Sequence, residues 1–171
     1  RAHRLRRPPR GARRLGPLNR ERLRLLDEAE ASAGGGSPSL ETILEAFIAP
    51  VIRLGREPAH GGKHFMCLMG RIYAEQGEAM HAIIPLFDDI IRRFSTSLGR
   101  ALPHLPASEL MWRFFFMIGC MVMPLVHSDI IEQKPAGRCD PADVEGAIRR
   151  VVAFVAAGMR APVPDPVGDT R

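Results

Sequence analysis

The residue types able to do chemistry in this chain are few and widely spaced. Histidines stand at His3, His60, His64, His81, His104 and His127, cysteines at Cys67, Cys120 and Cys139, and a single tyrosine at Tyr73. His60 and His64 are four apart, a spacing that can present two imidazoles to a metal from one helix face, but Gly61 and Gly62 between them favour a loop. Cys67, three residues beyond His64, could imitate a thiolate beside its base. With no orienting third group to point to, a buried structural cysteine is expected instead. There is no glycine-rich phosphate loop, no G-x-S-x-G elbow and no H-E-x-x-H helix, and the glycines at 34–36 follow no strand. No catalytic set, metal site or cofactor is therefore expected, and the chain does not read as an enzyme.

What the side chains do offer is a soft, adaptable lining. Phe65, Met66, Met69, Met111, Phe115, Met117, Met121 and Met123 fall on two stretches that also carry Tyr73, Arg113 and His127. Methionine fills irregular gaps and recurs at permissive apolar sites because it is flexible and polarisable. A few polar groups among apolar walls is the usual composition of a small-molecule pocket. The expected ligand-binding residues are thus Phe65, Met66, Met69, Tyr73, Met111, Arg113, Phe115, Met117, Met121 and His127. Arg113 would pair with a ligand carboxylate, and Tyr73 or His127 would donate hydrogen bonds. The plain alternative is that the methionines are core and that Arg113 faces solvent or a partner subunit.

Helices must hold these residues, because no segment alternates with a period of two. A first helix is expected from a cap at Asn19 to about Ala33, closed by the glycines at 34–36, and a second from Ser37 with Pro38 in its first turn. The second carries the stripe Leu40, Leu44, Phe47, Val51 and Leu54, with Pro50 inside it as a bend. A short helix follows over about Lys63 to Gln76, and a longer one over about Glu78 to Ala101, where Ile83, Phe87, Ile90, Phe94 and Leu98 keep helical spacing. The fifth, about Ala107 to Ser128, is apolar nearly all round and must be buried in the domain or against a partner. Its longest uncharged run, Phe114 to Val126, reads as too short to cross a bilayer. The sixth, capped by Asp140 and running from Pro141 to about Met159, has one apolar stripe and a second face of small residues at Gly146, Ala153 and Ala157. The fold class is all-α with about six helices.

Charge is divided unevenly along the chain. The formal net charge is +5, yet ten of the 24 basic residues and one of the 19 acids lie in residues 1–24, which leaves 14 basic and 18 acidic residues in the remainder. The basic pI of about 9.8 thus describes an arm and not the body. Residues 1–13 are expected to be a disordered arginine-rich arm, 14–160 a helical domain and 161–171 a mobile proline-rich tail. An odd number of cysteines and no apolar leader point to a reducing cytoplasm and to no membrane partner.

The stretches ARRLGPLNRERLRLLDEAEA, SPSLETILEAFIAPVIRL, AIIPLFDDIIRRFSTSLGRALPHLP, LMWRFFFMIG and GRCDPADVEGAIRRVVAFVAAGMRAP, in this order, resemble the carboxy-terminal domain of TetR-family transcriptional regulators, in the branch of fatty-acid-responsive repressors. The resemblance spans about residues 12–162. It implies a helical bundle, a small hydrophobic or acyl-like effector bound inside it, and a homodimer formed by the last two helices. On this chain that interface falls on Trp112, Phe116, Gly119, Met123, Gly146, Arg150, Ala153 and Ala157. In the family a helix-turn-helix of about fifty residues precedes this domain, and effector binding shifts the first helix and loosens operator DNA. Here only a dozen arginine-rich residues precede Arg13, so operator contact is expected only through a helix-turn-helix not present in this sequence. The alternative expectation is a stand-alone helical module that binds a hydrophobic ligand, or an anti-regulator, without DNA binding.

Overall fold

Apolar residues that recur every three or four positions fold the chain into helices whose stripes meet in one core. The structure, a computed structural model, describes residues 12–57, 62, 64–65, 67, 70–71, 84–127, 130, 140 and 142–164. Among them are five α-helices and one 3₁₀ turn, and no strand. The helices are α1 (Ala12–Ser32), α2 (Leu40–Arg56), α3 (Asp88–Ala101), α4 (Ala107–Val126) and α5 (Val144–Arg160), with the 3₁₀ turn at Ile84–Leu86 before α3. The all-helical reading of the sequence thus holds. Residues 1–11 of the expected arm, most of the expected helix over 63–76 and the end of the tail lie outside the described residues, and positions 12 and 13 belong to α1.

The central element is α2, which packs most extensively on α5 and then on α1. Most of α2 is buried, including Ile43, Leu44, Phe47, Ile48 and Pro50, through which the helix continues. Phe47 is its hub, with edge-on ring contacts to Phe94 of α3 at 5.1 Å and to Phe114 of α4 at 5.2 Å between centroids. Such geometry sets the positive ring edge against a negative face and adds about 0.5–1.5 kcal/mol per pair to the burial itself. Outside this core, Arg53 reaches Glu145 at 2.9 Å and Arg160 reaches Glu41 at 2.6 Å, so that α2 and α5 are pinned near both ends. These guanidinium groups hold the Glu145 and Glu41 carboxyls below the usual carboxylate range.

Several helix ends differ from expectation, each for a local reason. Asn19 does not cap α1. The helix begins seven residues earlier and runs through Pro17, and Asn19 is buried with its side-chain amide donating to the Leu86 carbonyl at 2.9 Å. Proline there loses only a bond back to Arg13 near the helix end, a small cost beside the burial of Leu15 and Leu18. The cap of α2 is Ser39, whose hydroxyl accepts from the Thr42 amide at 3.1 Å. That of α5 is Asp143, whose Oδ1 accepts from the Gly146 amide at 2.8 Å, while Asp140 closes the turn before it. Among the described glycines, Gly34 and Gly35, at φ 58° and 91°, need the left-handed backbone, and they end α1 as expected.

Gly99 offers a first measurable consequence. It lies inside α3, where a Cβ would meet only Leu110 Cδ2 at an ordinary 3.8 Å. Gly99→Ala is therefore expected to stabilise the protein by about 0.5–1 kcal/mol, because alanine has less backbone freedom to lose. Urea titration checks this, and a lowered midpoint would show that the α3–α4 contact has no room.

Candidate ligand-binding site

Each of the first four helices turns one apolar face toward a shared void. Helix α1 gives Leu15, Leu18 and Arg22, at helical steps of three and four. Helix α2 gives Phe47 and Val51, and the 3₁₀ turn with α3 gives Ile84, Phe87, Ile90 and Ile91. The longest wall is α4, with Phe114, Phe115, Ile118, Met121, Val122, Leu125 and Val126, and Phe65 lines the void from the segment between α2 and α3. The cavity volume is about 280 Å³. An engineered apolar cavity of about 150 Å³ takes benzene, so this space suits a ligand of roughly a dozen non-hydrogen atoms.

Among the described lining residues, Arg22 is the only one that carries a charge. It is 2% exposed. Its Nε donates to the Phe47 carbonyl at 2.8 Å, and its Cζ sits 4.0 Å above the Phe47 ring centroid. One Nη is 3.5 Å from the Asn19 amide oxygen and the other 3.9 Å from the Met121 sulfur. The Phe47 carbonyl has two lone pairs and can serve both its own helix and Arg22. Arg22 is thus the polar feature of the cavity, and the sequence reading overlooked it. The signal was present: Arg22 continues the line of Leu15, Leu18 and Leu26, all buried. It was masked by the arginines around it, which make the whole amino-terminal stretch look solvated.

The residues expected at the ligand divide into three groups. Phe65, Phe115 and Met121 line the cavity. Met66, Met69 and Tyr73 lie outside the described residues. The other four are elsewhere. Met111 is exposed on α4, Met117 is buried between α4 and α5, and His127 ends α4 on the outer surface.

Arg113 is not among the described residues that line the cavity. It is 6% exposed and belongs to the packing of α4 on α5. Its Nε donates to Glu109 at 2.8 Å, and its terminal nitrogens donate to the carbonyls of Gly158, Met159, Ala161 and Pro162 at 2.7–3.2 Å. Gly158 and Met159 belong to the last turn of α5, where carbonyls run short of helical donors and carry partial negative charge, and Ala161 and Pro162 follow directly, so the guanidinium is taken up by this chain end.

A second surface lies on the far side of α4. Trp112, Phe116, Gly119 and Met123 recur at helical spacing, all exposed, with Trp112 and Phe116 each at 62% and their rings stacked at 6.0 Å. Phe154 of α5, exposed at 70%, borders the same surface. It shares a shallow groove with Cys120, Met123, His127 and Arg150. Of the other residues expected at a subunit interface, Ala153 and Ala157 are exposed along a different groove, beside Glu41 and Glu45 of α2. Gly146 is buried at the start of α5, where an added Cβ would lie 1.8 Å from the capping Asp143 carboxylate. Its small size leaves room for the cap of its own helix.

Helix α4 has 20 residues and is by length and composition apolar enough to cross a membrane, which the 13-residue run did not suggest. Its inner face is nonetheless committed to the core through Leu110, Phe114, Met117, Met121 and Leu125. Among the described residues no cluster of histidine, cysteine and acidic side chains could hold a metal ion.

No curated protein matches the sequence. A family model described as the tetracyclin repressor-like, C-terminal domain matches residues 45–158, a span that covers α3, α4, most of α2 and nearly all of α5. The match assigns the family and leaves open the fatty-acid-responsive branch to which the sequence pointed. With an all-helical bundle around an apolar cavity and a matched span of well over half its length, this chain belongs to the family of tetracyclin repressor-like C-terminal domains.

Proposed function

We propose that the chain is the effector-sensing and dimerisation domain of a TetR-like transcriptional regulator. The observation that carries this reading is the apolar cavity, because α1 forms one wall of it. Polar contacts among the described residues hold that wall, including Asn19 to the Leu86 carbonyl, Arg22 to the Phe47 carbonyl, and Asp27 with Glu30 to Arg93 of α3. A small hydrophobic molecule that fills the cavity touches the α1 residues Leu15 and Leu18 together with α2, α3 and α4. Its binding energy can therefore bias where α1 rests against the other three helices. Operator DNA is reached through a helix-turn-helix joined to α1, and the outer faces of α4 and α5 pair with those of a second copy.

A cavity-filling variant tests the sensing role. Ile118 is partly buried at the cavity wall. Ile118→Trp is expected to abolish binding of an apolar fluorescent probe such as Nile red and the retention of any small molecule seen by native mass spectrometry, with helicity preserved. Undiminished probe binding in a folded variant would place the binding elsewhere and defeat the sensing role.

A further inference from the structure

The described walls of the cavity are not equally sealed. Every lining residue given by α1 and α2 is buried, whereas the partly or fully exposed ones fall on two rims. One rim is the 3₁₀ turn with the start of α3, at Ile84, Phe87 and Ile91, and the other is an edge of α4 that includes Phe115, Ile118 and Val122. Ile84 is 44% exposed and Phe115 56%, and both line the void. A side chain that touches both the void and water stands at an opening. The first rim is also lightly held. No residue of the turn is buried, and α3 starts from Phe87 without a side-chain cap, so its first amides lack partners within the helix. A 3₁₀ turn has poorer hydrogen-bond geometry than an α-helix, and segments with few buried contacts open at low free energy. Among the described residues, the hydrogen bond that ties this turn to another element comes from α1: buried Asn19 donates its side-chain amide to the Leu86 carbonyl at 2.9 Å.

We propose that the cleft between the 3₁₀ turn and α4 is the mouth of the cavity, that the turn is its gate, and that Asn19 is the latch. This deepens the sensing role and rests on it. When the Asn19 bond opens, the carbonyl of exposed Leu86 turns to water, so the open state costs only the small net worth of one hydrogen bond. A bond that is broken in the open state and made in both the empty and the filled closed states sets how fast a ligand exchanges, not how tightly it is held. Because the latch sits on α1, each passage of a ligand releases that helix from the turn. Asn19 as a merely structural contact has the opposite signature: a looser wall, faster release and weaker binding.

Stopped-flow fluorescence of the full chain with phenylnaphthylamine, an uncharged apolar probe smaller than Nile red, measures both rate constants. Asn19→Leu keeps the volume and removes the donor. It is expected to speed association and dissociation alike by at least about fivefold, the scale of one net hydrogen bond, with Kd within about twofold of the wild-type value. Phe115→Ala, on the opposite rim and away from the latch, should also speed both by widening the mouth, and it tests the mouth even if Asn19→Leu does not fold. Arg93→Gln frees α1 from α3 at Asp27 and Glu30 and should leave both rates unchanged. Equal acceleration by Arg93→Gln, or faster dissociation alone in Asn19→Leu, overturns the latch. Unchanged rates in both Asn19→Leu and Phe115→Ala, with binding still lost in Ile118→Trp, overturn the mouth and the gate and leave the sensing role standing. Failure of this probe and of Nile red to bind the wild-type protein overturns both.

Discussion

Arg113→Met is expected to lower the thermal midpoint by roughly 6–20 °C, from a loss of about 3–5 kcal/mol at about 2–4 °C per kcal/mol for a domain of this size. The size of the effect follows from how many groups depend on one side chain. In the wild-type protein the guanidinium meets four carbonyl oxygens at the end of α5 and the carboxylate of Glu109, with almost no exposure to water. Methionine fills similar space but donates nothing, so the Met159 carbonyl and the Glu109 carboxylate lose their partner at about 1–3 kcal/mol each, while Gly158 keeps the Ala161 amide and the exposed Ala161 and Pro162 turn to water. Arg113→Lys should recover only part of this, because an ammonium has three donors and no planar fork. Glu109→Gln should cost far less, about 1 kcal/mol, since the carbonyl contacts remain. Differential scanning calorimetry of the three variants checks the ranking. A shift of Arg113→Met no larger than that of Glu109→Gln would show that the carbonyls find other donors.

The contrast between Arg113 and Arg22 shows what a single sequence reveals here. Helix positions were legible wherever apolar and charged residues segregate by helical spacing. In α3, Ile90, Phe94 and Leu98 are buried opposite exposed Asp89 and Arg92, as the pattern requires. An arginine on an apolar helix was equally visible, but its partner was not. The carbonyls that hold Arg113 lie 45–49 residues away and are backbone atoms, which leave no trace in residue types. Arg22 failed for the opposite reason, since nothing distinguishes it locally from Arg20 and Arg24, which flank it. Only burial separates them: Arg22 is inside, while Arg24 is exposed and paired along its own helix with Glu21 and Glu28. Caps were legible as types but not as positions. Ser39 and Asp143 act where Ser37 and Asp140 were expected, because each helix start is fixed by where its buried stripe must begin. The outer face of α4 could be read as surplus apolar surface, whereas its continuation onto Phe154 depends on how α5 crosses α4.

Phe154→Glu is expected to convert the proposed dimer to a monomer, with an association constant lowered at least about a hundredfold, equivalent to about 2.7 kcal/mol. Phe154, Trp112, Phe116 and Met123 are large apolar side chains exposed on α4 and α5, and grouped exposed apolar residues of this kind mark interaction sites. Aromatic anchors at the centre of an interface supply most of its energy, and a carboxylate buried there without a partner costs several kcal/mol. The inner packing is spared, because Phe154 is directed outward and the core contacts of α5 come from Ile148, Val152, Val155 and Met159. Ala153→Glu, one residue away, provides the sharper comparison. It lies in the groove beside Glu41, Glu45, Arg149 and Arg160, where charge is already accommodated. It should therefore leave the mass in solution unchanged. Sedimentation equilibrium of both variants decides between a pairing surface centred on the aromatic residues and one built on the small-residue face of α5. A monomeric Ala153→Glu beside a dimeric Phe154→Glu would select the latter. Because Arg113 ties the end of α5 to α4 beside Phe116 and Phe154, its loss should also weaken the proposed dimer, which would make the fold and the proposed pairing depend on the same buried contact.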